Sequence, residues 1–263
     1  MLNKLLKYDL KWIYKVIVVF YILGVLFALL TRIFSGIDNS LMFTILGKIT
    51  SGAMISMLIS ALINGLLRSW VRFVNNVYKD ESYLTHTLPV KKSNIYLSKV
   101  LMALIVSFTS MVLAIVCIFI AYYSKSNMEV LKTFLKLAAD SYDTSVFSLI
   151  LSVAVVLFLE ITFIILIGYA AIIMGHRASQ GKMAKSAVLG IVLYMATSSF
   201  TLLIMYIIGL FNKGIMNIID TTEIVNVSAI KSVMYIGMII YLAYNILYFI
   251  LGKIMFEKGV NVE

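Results

Sequence analysis

A chain of 263 residues that is 62% apolar and only 13% charged lacks the charge to cover a water-facing surface, since soluble domains carry roughly 25% charged residues. Its one cysteine, Cys117, excludes an intrachain disulfide. The net charge of +10 is explained by where the basic residues sit relative to a membrane and gives no reason to expect a nucleic-acid partner.

The pattern predicts an all-α polytopic bundle in a single membrane domain covering residues 1–263. Six apolar segments reach the roughly 20 residues that a helix needs to cross the hydrocarbon core: Val16–Phe34, Ile49–Val71, Val100–Tyr123, Val146–Met174, Ser186–Phe211 and Val233–Ile254. They must be helical, because lipid offers the backbone no hydrogen-bond partner. The N-terminal apolar run has no small-residue cleavage site at its end, so it is read as retained.

Ahead of the first span, Lys4, Lys7, Lys11 and Lys15 recur at helical spacing, opposite Leu2, Leu5, Leu6, Leu10 and Ile13, with Trp12 at the border. Residues 2–15 therefore predict an amphipathic helix in the headgroup plane, apolar side down. Asp9 falls on the apolar side and calls for a cation, from a partner protein or from a lysine of this chain.

Between spans two and three, residues 78–92 hold a polar helical turn, Lys79 to Thr87, that ends at the chain's only proline, Pro89. Leu88, preceding it, is forced out of the helical region, and a new helix can start near Ser93 as N-cap. Tyr83, Leu84 and Leu88 give the short helix an apolar side ringed by charge, the signature of a protein contact.

The run Asp80-Glu81-Ser82-Tyr83-Leu84-Thr85-His86-Thr87-Leu88-Pro89-Val90, with Lys99 opening the next span, resembles the first cytoplasmic loop of type-2 ABC exporter permeases. The small bacterial permeases for peptide, bacteriocin or drug export and self-protection are most similar. The layout matches over the whole chain, the motif over about twenty residues. The resemblance implies a coupling helix in which Asp80, Glu81, Tyr83, Leu84, His86, Leu88 and Pro89 contact a separate ATP-binding subunit. It also implies a second permease copy or a related permease, no cofactor in this chain, and ATP and magnesium on the partner. The expected location is a bacterial plasma membrane.

Further along, residues 124–145 contain an amphipathic stretch from Met128 to Ala139. In span four, Glu160 lies near the bilayer midplane, where an acid usually faces a bundle interior or a cavity. It is a candidate for the translocation path, with Asn64 and Asn245 as weaker candidates that equally suit helix–helix hydrogen bonds. The segment from Gly175 to Lys182 imitates a phosphate loop but spaces its glycines one residue too far apart and has Met183 where a hydroxyl must ligate magnesium. It reads as a basic turn. Residues 212–232, with Ile215, Ile218 and Ile219, resemble the short helices that follow span five in the same family.

Fifteen of the 22 basic residues lie in the two termini, in the loops after spans two and four, or, as Arg68 and Lys253 do, in the span ends next to them; the other seven lie towards the opposite side, nearly neutralised there by acids. The positive-inside rule then places both termini in the cytoplasm. An intramembrane enzyme has no support, because neither a His-Glu-x-x-His nor a Gly-x-Ser-x-Gly pattern occurs. An ion-coupled carrier using Glu160 is the alternative transport reading.

Overall fold

The computed structural model describes residues 1–37, 41–79, 81–220 and 227–259, apart from the side chains of 219, 220 and 228. Among the described residues all regular structure is helical: α1 (Leu2–Ser35), α2 (Leu41–Val77), α3 (Ser82–Thr87), α4 (Lys92–Tyr122), α5 (Lys125–Ser141), α6 (Val146–Gly175), α7 (Lys182–Phe211), α8 (Lys213–Asp220) and α9 (Val227–Glu257). Six of these helices, α1, α2, α4, α6, α7 and α9, are long and apolar enough to cross a membrane, and each coincides with one of the expected spans, α4 ending one residue short of its span at Tyr122. The chain is a multi-pass helical membrane protein. It divides into two compact units, Met1–Val130 and Leu131–Asn261. Three of the long helices belong to each.

In the first unit α1 packs along α2 and α4. Ala28, Met54, Leu58, Cys117 and Ala121 form one apolar cluster, and Ile13, Ile17, Met102 and Val106 form another, flanked by Leu6, Leu10 and Trp12. Hydroxyl pairs cross the same interfaces. Tyr14 Oη lies 2.7 Å from Thr109 Oγ1, Tyr21 Oη lies 2.7 Å from Ser110 Oγ, and Thr31 donates to Thr50 at 3.1 Å.

One expectation is overturned here. Residues 2–15 are not a separate helix; they form the first turns of α1, which runs unbroken for 34 residues. The reason is physical. No proline or glycine interrupts residues 2–23, and on the apolar side Ile13 is packed against Met102 and Val106 of α4, flanked by Leu6 and Leu10. At about 1.5 Å per residue, α1 is roughly 50 Å long, well beyond the roughly 30 Å hydrocarbon core.

In the second unit α6 packs against α7 and α9 around Phe163, whose ring lies 5.5 to 6.2 Å from those of Tyr194, Tyr241, Tyr244 and Tyr248. Thr197 Oγ1 and Tyr248 Oη lie 2.7 Å apart, joining α7 to α9. The α6–α7 turn is tight: a Cβ on Gly175 would lie 2.5 Å from the backbone N of Ser186 and 2.6 Å from its Cα. Only glycine permits that approach. After α7, Asn212 caps α8 through its Oδ1, which accepts from the backbone N of Gly214 at 3.0 Å.

Candidate functional site

The helix ends nearest the N-terminus in the first unit carry a buried ion cluster. Asp9 on α1 is 2% exposed, Lys99 on α4 is 1% exposed and Arg72 on α2 is 8% exposed. Asp9 Oδ1 accepts from Lys99 Nζ at 2.6 Å and from Arg72 Nε at 3.0 Å; Oδ2 accepts from Ser98 Oγ at 3.3 Å. The other end of the Arg72 guanidinium donates through Nη1 to both carboxylate oxygens of Glu81, at 2.8 and 2.7 Å. Asn76 Nδ2 completes the cluster with a 2.9 Å bond to Glu81 Oε2. Two acids face two bases, so the formal charge balances, with Glu81 at the half-exposed outer end of the cluster. The indole of Trp12 covers one side, its centroid 5.4 and 5.3 Å from the guanidinium carbons of Arg68 and Arg72, within cation–π range.

This cluster accounts for Asp9: its cations come from this chain, Lys99 being the lysine that was one of the two alternatives and Arg72 a second cation. Lys4, Lys7 and Lys11 are exposed on the other side of α1, and Trp12 is half-buried. A weak signal did exist in the sequence. Arg72 follows the second apolar run directly and Lys99 directly precedes the third, so both sit where an unpaired charge is costly.

Glu81 also belongs to the short helix. It is the N-cap residue of α3, and its backbone carbonyl accepts from Thr85 Oγ1 at 3.0 Å. From the far end of α3, His86 Nε2 donates to the carbonyl of Val77 at 3.1 Å. Ser82 and Thr85 are buried. The helix is thus held to α2 at both ends. Nearby, Phe73, Tyr78 and Tyr96 stack edge-on at 6.1 and 6.4 Å and fill the space where α2 ends and α4 begins.

The opposite side of α3 is open. Tyr83 is 70% exposed, Leu84 73% and Leu88 44%, and Pro89 is exposed. Leu88 is extended (φ −64°, ψ 137°), as a residue before proline must be. Of the residues expected to face a partner, Tyr83, Leu84, Leu88 and Pro89 do point outward. Glu81 and His86 do not: they turn back to α2, because Arg72 and the Val77 carbonyl give them partners there. Asp80 lies outside the described residues. The next helix begins at Lys92 with Lys91 as N-cap, which moves Ser93 into the first turn.

Of the polar candidates in the spans, Asn64 belongs to the first unit and Glu160 and Asn245 to the second. Asn64, in the first unit, donates to the Ser60 carbonyl of its own helix at 2.8 Å. In the second unit, buried Asn245 on α9 donates to the Leu159 carbonyl of α6 at 3.0 Å. Glu160, the next residue, is half-buried and makes no ion pair or hydrogen bond among the described residues. In the basic turn after α6, His176 is fully buried, and Arg177 donates to the Met255 carbonyl at 2.9 Å.

Comparison with protein-family models, with curated proteins and with solved structures gives no match for this chain. Function therefore has to be read from the geometry. Among the described residues no group of three His, Cys, Asp or Glu side chains is placed to hold a metal ion.

Proposed function

We propose that this protein is the membrane-spanning subunit of an ATP-driven exporter of the type-2 ABC kind. It would sit in a bacterial plasma membrane with both termini in the cytoplasm and move an apolar or amphipathic cargo such as a peptide, lipid or drug. One observation carries the reading: a short polar helix between two spans is clamped at both ends and turns three large apolar side chains outward. Water alone gives no reason to expose Tyr83, Leu84 and Leu88 together, whereas a cleft on an ATP-binding subunit would cover them.

The clamp suits such a role. A docking helix transmits force only if it cannot rock independently of the spans, and the Glu81–Arg72–Asp9–Lys99 chain joins α3 to α2, α1 and α4 through charged hydrogen bonds, which are among the stronger polar contacts. ATP hydrolysis would take place on the partner. Two permease subunits, identical or related, would then change the opening between them as the ATPases close.

A second reading, an ion-coupled carrier, draws on Glu160, an acid within a span without an ion-pair partner among the described residues. Purification from the native host distinguishes the two. The expected result is that wild type retains an ATP-hydrolysing protein and Leu84→Glu loses it, while Glu160→Gln retains it. Wild type that retains none, yet drives uptake into vesicles on a proton gradient that Glu160→Gln abolishes, would replace the first reading with the second.

A further inference from the structure

Helix α5 belongs neither to the ion cluster nor to the docking helix. It runs for 17 residues, about 25 Å at 1.5 Å per residue. At about 100° of rotation per residue, Leu137, Val130, Phe134 and Leu131 fall within an arc roughly 120° wide. These four are 62%, 67%, 65% and 46% exposed. Lys125, Glu129, Lys132, Thr133, Lys136 and Asp140 occupy the remaining outward arc, and all six are exposed. Buried Ala139 and the half-buried Met128 and Leu135 lie on the inward edge. So large an apolar stripe beside so orderly a charged one requires a cover that is apolar on one side and aqueous on the other.

The connections identify that cover. Only residues 123 and 124 separate α5 from the end of α4, and residues 142–145 separate it from the start of α6. At about 3.5 Å per Cα step, links of this length hold the two ends of α5 within roughly 11 and 18 Å of membrane-crossing helices. Those helix ends carry exposed aromatic rings: Tyr122, Tyr123 and Phe147. Tyrosines concentrate at the level of the lipid headgroups. Both ends of α5 are therefore fixed at the depth where an amphipathic helix is stable lying flat.

We infer that α5 is an interfacial helix embedded in the headgroup layer, Val130, Leu131, Phe134 and Leu137 facing the acyl chains and Lys125, Lys132 and Lys136 facing water. Three crossings separate it from the N-terminus, so it occupies the leaflet opposite the one next to α3. The membrane-surface role that the lysine stripe suggested for residues 2–15 belongs to α5, whose apolar side protein leaves open. This inference stands whether or not an ATPase binds α3.

Site-directed spin labelling in reconstituted vesicles tests it. Cys117 is fully buried and can stay, with unsubstituted protein as the labelling control. Single variants Val130→Cys, Phe134→Cys and Leu137→Cys are compared with Lys132→Cys and Lys136→Cys for collision with oxygen, which concentrates in lipid, and with a water-soluble nickel chelate. The expected result is oxygen above nickel at the three apolar positions and nickel above oxygen at the two lysines. Nickel access equal at all five would mean that α5 stands in water. Exclusion of both probes from the apolar positions would mean that protein, a second copy included, covers the stripe. Either outcome overturns the inference.

Discussion

Replacing Lys99 by methionine removes one of the two cations on Asp9 Oδ1 and leaves the cluster one positive charge short in a buried place. Breaking a buried pair from one side costs about 3–5 kcal/mol, much of it the cost of the charge left behind, whereas removing both partners is often close to neutral. Lys99→Met should therefore lower the melting temperature of the detergent-purified protein clearly, and Asp9→Asn combined with Lys99→Met should recover most of the loss, since Arg72 keeps its bidentate pair with Glu81. Melting curves of the two single variants and the double variant give the coupling directly. Equal losses that simply add would mean that Asp9 and Lys99 do not share one cluster. The grouping was hidden in the sequence because Asp9 is 63 positions from Arg72 and 90 from Lys99. Periodicity reports which side of its helix a residue is on; it does not report which other helix lies against that side.

The same limit explains how the elements were read. The six spans were legible because the length of an apolar run and the need to pair the backbone in lipid determine a membrane helix almost alone. The break at Pro89 was legible because the constraint on Leu88 is local. The first fifteen residues were not, because a lysine stripe opposite a leucine stripe looks the same whether lipid or protein covers the leucines. Here Leu6 and Leu10 pack against a cluster that includes Met102 and Val106 of α4. Ile13→Ala, which deletes a fully buried side chain from the cluster with Met102 and Val106, should destabilise the purified protein by about 2–5 kcal/mol, while Lys11→Ala, on the exposed side, should leave thermal stability within about 0.5 kcal/mol of wild type. A helix lying free on the membrane surface would respond in the opposite order, with surface charge mattering and Ile13 affecting only partition into lipid. Thermal melts of the two variants decide between these, and a null result for Ile13→Ala would return α1 to the arrangement that its stripe pattern first suggested.

For the whole molecule, the proposed reading has all six long helices cross, an even number that would return the C-terminus to the side where the N-terminus starts. The same alternation would put the loop that carries α3 and the α6–α7 turn on that side and α5 on the other. The basic residues follow the same division, and charge bias in short loops is what orients such chains. Single cysteines at exposed Asn3, Thr87 and Ser179 should therefore react alike with a membrane-impermeant maleimide, protected in intact cells and labelled after permeabilisation. A cysteine at exposed Asn127 should be labelled from outside at once. Thr87 is the most demanding position, because α2 has the lowest mean hydropathy of the six candidates, 1.6 against 2.6 for α1 and 2.8 for α4. The lower value reflects the serines, glycines and Asn64 along α2. What compensates is packing: Gly65 lies so close to α4 that an added Cβ would be 3.1 Å from Val106 Cγ1, and Asn64 and Ser69 return their polar groups to their own helix backbone. A helix that satisfies its polar groups internally and packs this closely inserts with its neighbours despite a modest hydropathy. Labelling of Thr87→Cys from outside, with Asn3→Cys still protected, would show that α2 does not cross, and α3 would then lie on the wrong side of the membrane to meet any ATP-binding subunit.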